Sequence, residues 1–320
     1  MRMSHRREIS VALAIGVLWI VLALAAPGFF TVSNQLDMAM ANMPVLIAAL
    51  GMTLVVLLGE IDISVGSVFA ICAVAAGLLA KSGLPLPVVI GATLAVGGAL
   101  GAMNGGLVAY LRIPSIVVTL ASMVALRDAL RWATEGAWVE DLPRNFQWFG
   151  WTLAGSEAVT VGVAALVFTS LAWGLRNLAA GRTVYAAGSN EGAARLAGIE
   201  RAYTTLWVFA IAGALTGCAA VLNAARFNQI PSNTGLGMEM KVIAAVVVGG
   251  TSIRGGRGTV AGTLLGVILL GTIGTALTFL SVSAYWEKAI QGAIILAAVS
   301  AEAWPMRAEA RGGRLGRSPI

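Results

Sequence analysis

The chain has 320 residues, 58% of them hydrophobic and only 11% charged, with a mean hydropathy of +0.86. A soluble domain carries roughly 25% charged residues, so the composition excludes a water-soluble globular protein and points to an integral membrane protein. The formal charge of +6, from 21 Lys and Arg against 15 Asp and Glu, sits between and beside apolar runs, where it reads as membrane topology and does not imply nucleic acid.

The apolar runs approach or exceed the roughly 20 residues needed for a membrane-crossing helix. They lack the alternation of a transmembrane β-strand. The expected fold class is therefore all-α: a polytopic transmembrane bundle forming one domain over residues 1–320. Ten spans are expected, near 9–27, 43–59, 62–80, 86–109, 114–133, 158–175, 204–225, 240–253, 259–280 and 287–304. The first follows a basic leader, MRMSHRRE, and resembles a signal peptide in composition. Its apolar run, Ile9 to Ala26, is 18 residues, longer than a signal core, and is read as a retained span.

Between the second and third spans stands GEIDISVGS, residues 59–67, with Glu60 and Asp62 in apolar company. An ionised group at the bilayer centre costs at least roughly 2.5–3.5 kcal/mol, so these residues should pair, face the bundle interior or sit at a helix end. Asp62 is expected to cap a helix beginning at Ile63 by accepting from the backbone N–H of Ser64 or Val65. Further along, Ser64, Asn104, Thr119, Ser122, Asn223, Asn228, Glu239 and Lys241 are polar residues within or at the edges of spans. Arg127, Asp128 and Arg131 are expected to form an internal ion-pair cluster. Cys72 and Cys218 fall in apolar runs and read as small core residues.

Two connections are long. The one after the fifth span, TEGAWVEDLPRNFQWFGWTLAGSE, carries Trp138, Phe146, Trp148, Phe149 and Trp151, and reads as an interfacial aromatic belt. The other, residues 176–203, contains GRTVYAAGSNEGAARLAGI. Ser189 or Asn190 can cap a helix, Glu191 suits its positive end, and Gly198 can stop it. This helix either lies on the lipid surface or presents itself to a partner protein, and the pattern alone does not separate the two. Of the 21 Lys and Arg, 14 fall on the side of this connection and the N-terminus, so both termini are expected in the cytoplasm.

Residues 55–70, VVLLGEIDISVGSVFA, align without gaps on residues 246–261, VVVGGTSIRGGRGTVA, at an offset of 191. Paired polar, Gly-rich interruptions are the pattern of discontinuous helices flanking a transport site. Enzyme machinery is missing from the sequence: one His, no metal-ligand spacing, no nucleophile beside a base, and no G-x-x-x-x-G-K-[ST] phosphate loop. If ATP drives this protein, another chain binds it.

The stretches GEIDISVGS, NGGLVAYLRIPSIVVTLASM, GRTVYAAGSNEGAARLAGI and NTGLGMEMKVIAAVVVGGTSIRGGRGTVAGTLLG, in this order, resemble the ribose-type permeases of bacterial ABC importers. LRIPSIVVTLASMVALRDALRWATEGAWVEDLP and IPSNTGLGMEMK are most similar to the branch serving rhamnose and the autoinducer-2 sugar derivative. The resemblance implies an inner-membrane subunit that pairs with a second permease copy or paralogue, sits on cytoplasmic ATPase domains that bind ATP and Mg, and receives a monosaccharide from a periplasmic binding protein. No cofactor is implied in this chain. By the same resemblance, Asn190, Glu191, Ala194, Arg195, Leu196, Gly198 and Ile199 form the helix that couples to the ATPase. Asp62, Ser64, Gly66, Ser67, Asn104, Gly249, Gly250, Thr251 and Ser252 border the translocation path. Glu60 departs from the pattern, since many relatives have Gly there. The residues alone also allow a secondary transporter in which Glu60, Asp62 or Glu239 carries a proton.

Overall fold

The computed structural model describes residues 2–283 and 286–297. The end of the expected tenth span and the basic tail 305–320 lie outside the described residues. Eleven α-helices follow in order: α1 (Arg2–Ala25), α2 (Val32–Leu57), α3 (Val65–Lys81), α4 (Leu86–Leu111), α5 (Ser115–Thr134), α6 (Leu153–Asn177), α7 (Ala179–Ser189), α8 (Glu191–Leu196), α9 (Arg201–Ala224), α10 (Met238–Val248) and α11 (Val260–Phe279). A 3₁₀ turn at Gln147–Gly150 precedes α6, and residues 286–297 are helical. Among the described residues the nearest approach to a sheet is one isolated antiparallel bridge, Val139 with Ile230.

Among the described residues six helices, α1, α2, α4, α6, α9 and α11, are long and apolar enough to cross a membrane. The other expected spans differ for physical reasons. α5 has the length but carries Arg127, Asp128 and Arg131. α3 has 17 residues. α10, with 11, is about 16 Å long and too short to cross alone. α2 begins at Val32, well before the expected 43; its first turns, SNQLDM, are polar and lie outside the apolar run that marked the span. Asn34 and Gln35 there donate to the Phe29 carbonyl at 2.6 and 2.8 Å and close the turn that leads into the helix.

α2 is the centre of the bundle. Every residue from Leu46 to Leu57 is buried, the pattern of a helix surrounded on all sides. The closest packing is between α4 and α9, where Gly97, Gly101 and Gly105 form a ridge one turn apart. A Cβ on Gly101 would collide with the Phe209 carbonyl, and one on Gly97 with that of Gly213. Such small-residue seams replace the hydrophobic drive that lipid removes.

Apart from α7 and α8, successive helices alternate in direction, leaving two ends. At one end, Glu8 of α1 accepts from Thr259 ahead of α11 at 2.5 Å. The α2–α3 and α10–α11 loops and helices α7 and α8 gather there. At the other, Lys81 donates to the Glu140 carbonyl, and Phe29 packs edge-to-face on Phe279. The long aromatic connection also lies there. Phe146 is buried, Trp148 and Phe149 are half-buried, and Trp138 and Trp151 are exposed. The segment is pinned to the chain after α9 by Trp148 N–H donating to Ala225 O at 2.7 Å.

The aligned interruptions end their helices identically. After α2, Gly59 and Glu60 N–H donate to the Val56 and Val55 carbonyls; after α10, Gly250 and Thr251 N–H donate to those of Val247 and Val246. All four pairs match at the offset of 191. Gly59 and Gly250 have φ of +80° and +92°, the left-handed position this helix stop requires.

Candidate functional site

The residues of GEIDISVGS climb from the α7–α8 end into the bundle. At the bottom, Ile61 N–H donates to Ser115 Oγ at 3.2 Å, and Thr119 Oγ1 donates to Ile61 O at 3.3 Å, both on the first turns of α5. At the top, Ser67 Oγ donates to Met123 O at 2.7 Å. Eight residues of α5 separate Ser115 from Met123, so Ser67, in the first turn of α3, lies about 12 Å inside the bundle. Asp62 is not the cap of a helix at Ile63. The helix begins at Val65, and Asp62 Oδ1 accepts from the backbone N–H and hydroxyl of Ser64 at 2.8 and 2.6 Å, bracing the turn ahead of it.

From Ser64 a buried polar chain runs across three elements. Asn104 Nδ2 of α4 donates to Ser64 Oγ at 2.8 Å, and Ser122 Oγ of α5 donates to Asn104 Oδ1 at 2.6 Å. Asp62, Ser64, Ser67, Asn104 and Ser122 are all buried. The costly polar groups of this region thus satisfy one another and lock α3, α4 and α5 together at mid-depth.

α10 starts beside the same place. A Cβ on Gly66 would collide with the Glu239 carboxylate and press on the Gly235 carbonyl. Arg127, buried on α5, donates to Thr234 O at 2.7 Å just ahead of α10. Arg127 therefore stands apart from the expected cluster, and Arg131 with Asp128 forms only an exposed pair at 3.5 Å. Two helix N-termini, α3 running toward one end and α10 toward the other, meet at Gly66, Gly235 and Glu239. This is the geometry of discontinuous helices, whose first turns lie inside the bundle.

At the α7–α8 end the two interruptions touch. Gly256 N–H donates to Leu57 O at 2.8 Å, and Gly188 at the end of α7 lies against both; a Cβ there would collide with the Leu57 carbonyl. Tyr185 of α7 donates its hydroxyl to Gly258 O at 2.9 Å, and burial pushes its phenol pKa up, which keeps it a donor. Within the second interruption, Ser252 N–H donates to Arg257 O at 2.8 Å, Gly249 packs on Gly262 of α11, and the buried Thr251 hydroxyl has no hydrogen-bond partner among the described residues.

α8 has the ends its sequence foretells. Asn190 caps it by accepting from Ala193 N–H at 3.0 Å. Gly198 (φ +75°) stops it, with Gly198 and Ile199 N–H donating to the Arg195 and Ala194 carbonyls. Ala194 is 4% exposed and seats the helix, Ile199 is half-buried, and Leu196, at 92% exposure, stands away from the chain beside Arg195.

Arg201, the first residue of α9, ties these parts together. Its guanidinium reaches Glu60 at 2.8 Å, Glu191 at 2.7 Å and Leu58 O at 3.3 Å. Sequence reasoning counted Arg201 only toward topology and left Glu60 unexplained, because their pairing spans 141 residues. Gly188 carried no local signal at all.

The model of one family, the permease component of branched-chain amino acid transport systems, matches residues 34–299. The chain is 40% identical over 297 residues to the autoinducer 2 import system permease protein LsrC of Enterobacter sp. (strain 638), covering 91% of this chain and 84% of the relative. Identity is 38% to the protein of that name from Klebsiella pneumoniae subsp. pneumoniae, over 91% of this chain and 84% of the relative. It is 36% to that of Escherichia coli (strain K12 / DH10B), over 92% and 86%. No solved structure matches. With its membrane-spanning helices, paired interruptions and coverage over most of its length, the chain belongs to this family of ABC-importer permease components, and it is a transport subunit rather than an enzyme.

Proposed function

We propose that this permease carries a monosaccharide or related small polyol across the bacterial inner membrane. In this reading the spans number about ten, the α7–α8 end and both termini face the cytoplasm, and a second permease copy or paralogue completes the path. A periplasmic binding protein delivers the sugar, and a separate ATPase subunit binds ATP and Mg. The names of the relatives support autoinducer-2 or a similar sugar derivative as the cargo.

One observation carries the mechanism: α8 is seated through Ala194, exposes Leu196 and Arg195, and is bonded through Arg201 to the loop that leads to the mid-depth site. When ATP draws the two ATPase domains together, the exposed face of α8 is pulled. Arg201 and the Leu57–Gly188–Gly256 contact pass that displacement to both interruptions at once. The helix starts at Gly66 and Glu239 then shift as one unit, and access to the mid-depth region alternates. Specificity resides largely in the binding protein, since tight binding within the permease would slow release.

The test is reconstitution with the ATPase and the loaded binding protein. Uptake should require ATP and both partners, and Arg195→Glu or Gly192→Trp should abolish sugar-stimulated ATP hydrolysis. Uptake by this chain alone, driven by a pH gradient, would replace this reading with a proton-coupled one.

A further inference from the structure

A groove of about 650 Å³ runs along α9 at the α7–α8 end of the bundle, between α9, α7 and the connection that leads out of α8. Ala180 and Thr183 of α7 form one wall, and Glu200, Tyr203, Trp207 and Ile211 form the other. Tyr203, Trp207 and Ile211 stand four residues apart, so they share one face of α9 at successive turns. Tyr203 and Ile211 are exposed and Trp207 is half-buried. Ile211 lies eleven residues beyond Glu200, which makes the groove about 16 Å long. Because α9 is long and apolar enough to cross a membrane, the groove starts at the membrane surface and descends into the acyl region.

The polar groups of this groove are unused. Glu200 is the only charged residue lining it, and the adjacent Arg201 is committed to Glu60 and Glu191. Among the described residues nothing pairs with the Glu200 carboxylate, the Tyr203 hydroxyl or the Trp207 indole N–H. With increasing depth the wall therefore offers a carboxylate acceptor, a phenol donor one turn below it, an indole donor a further turn down, and then Ile211. Tyr and Trp are the residues suited to the membrane interface, since each joins an apolar ring to a polar tip. A phospholipid presents the complementary chemistry in the same order: an ammonium, a phosphate, ester carbonyls and an acyl chain. An unpaired carboxylate with no cation beside it disfavours an anionic headgroup. A primary ammonium has N–H donors for that carboxylate, whereas a trimethylammonium has none and is held by an aromatic cage, which this groove lacks.

We propose that this groove is a binding site for one phospholipid with a primary ammonium headgroup, phosphatidylethanolamine. The ammonium sits on Glu200, the Tyr203 hydroxyl and Trp207 N–H donate to the phosphate and ester oxygens, and an acyl chain runs past Ile211. The site holds whatever the cargo of the transporter. To test it, the complete complex is reconstituted in vesicles of equal parts phosphatidylethanolamine, phosphatidylglycerol and phosphatidylcholine and extracted in mild detergent, and the lipids retained on this chain are counted by native mass spectrometry. Wild type is expected to keep one phosphatidylethanolamine in preference to the other two. Glu200→Gln should lower that retention about tenfold, the effect of losing one charge-assisted hydrogen bond. Glu200→Asp should restore most of it, and Glu135→Gln, an exposed acid at the far end of the bundle, should leave it unchanged. Equal retention of the three lipids, preference for phosphatidylglycerol or phosphatidylcholine, or wild-type retention by Glu200→Gln overturns the site. A second arm identifies a protein occupant. In a Cys72→Ala and Cys218→Ala background, Ala180→Cys should be shielded from a maleimide by added phosphatidylethanolamine, with or without the ATPase. Shielding by the ATPase in lipid-free detergent, with none from the lipid, assigns the groove to the ATPase and overturns the proposal.

Discussion

Arg201 holds Glu60 at 2.8 Å with one terminal nitrogen and Glu191 at 2.7 Å with the other. One carboxylate belongs to the first interruption and the other to the first turn of α8, so a single guanidinium joins α8 with the loop entering the bundle. Exposed ion pairs contribute about 0–1 kcal/mol, and Glu191 is 66% exposed. The arrangement therefore matters for position more than for stability. Arg201→Ala should lower the denaturation temperature only slightly while strongly reducing ATP-driven uptake. Arg201→Lys should rescue little, because an ammonium lacks the planar fork that reaches both carboxylates. Wild-type uptake by Arg201→Ala would show that α8 acts through the glycine contact alone.

Glu60→Gly and Asp62→Ala should fail differently. Glu60→Gly removes one arm of the Arg201 link and is expected to impair uptake with little loss of stability. Asp62→Ala leaves the Ser64 N–H and hydroxyl without their acceptor in a buried turn, costing about 1–3 kcal/mol. Asp62→Asn keeps an acceptor oxygen and should lie near wild type. Thermal denaturation in detergent, paired with uptake, separates the three.

Asn104→Leu strips the acceptor from Ser122 and the donor from Ser64 in one step. The expected loss is about 2–4 kcal/mol, since two buried hydroxyls lose partners. The same substitution at the exposed Met103 should be nearly silent, and a denaturation series shows whether the polar chain is structural in this way.

Gly188→Ala should be far worse than Gly192→Ala. A Cβ at 188 meets the Leu57 carbonyl, whereas at 192 it makes an ordinary contact with Asn190 Oδ1 at 3.4 Å. Forcing apart packed backbone costs about 1–3 kcal/mol and would separate α7 from both interruptions, so coupled ATP hydrolysis should fall for the first variant alone.

Asn190→Ala removes the α8 cap at a cost of about 1 kcal/mol and should loosen ATPase association indirectly. Leu196→Ser removes an apolar side chain that touches almost nothing in this chain and should leave stability unchanged while weakening co-purification with the ATPase. Equal association of Leu196→Ser and wild type would place the contact elsewhere.

What the sequence determined by itself was what short-range chemistry controls. Apolar run length against bilayer thickness made the protein an α-helical membrane protein. The caps of α8 were legible because Asn190, Glu191 and Gly198 act on backbone groups within a turn of themselves. The alignment at an offset of 191 also held more than composition, since Gly59 and Gly250 stop their helices by the same bonds. The tertiary structure alone decided how these pieces meet. α2 extends through a polar stretch because a neighbouring turn satisfies it, and α3 and α10 start inside the bundle because Asn104, Ser122 and Arg127 on other helices satisfy the polar groups there. Glu60 finds its partner in Arg201, far along the chain, and no local pattern encodes that pairing. Its cause is the packing of α7 and α9 beside the end of α2, where a glycine lets three backbones come into contact.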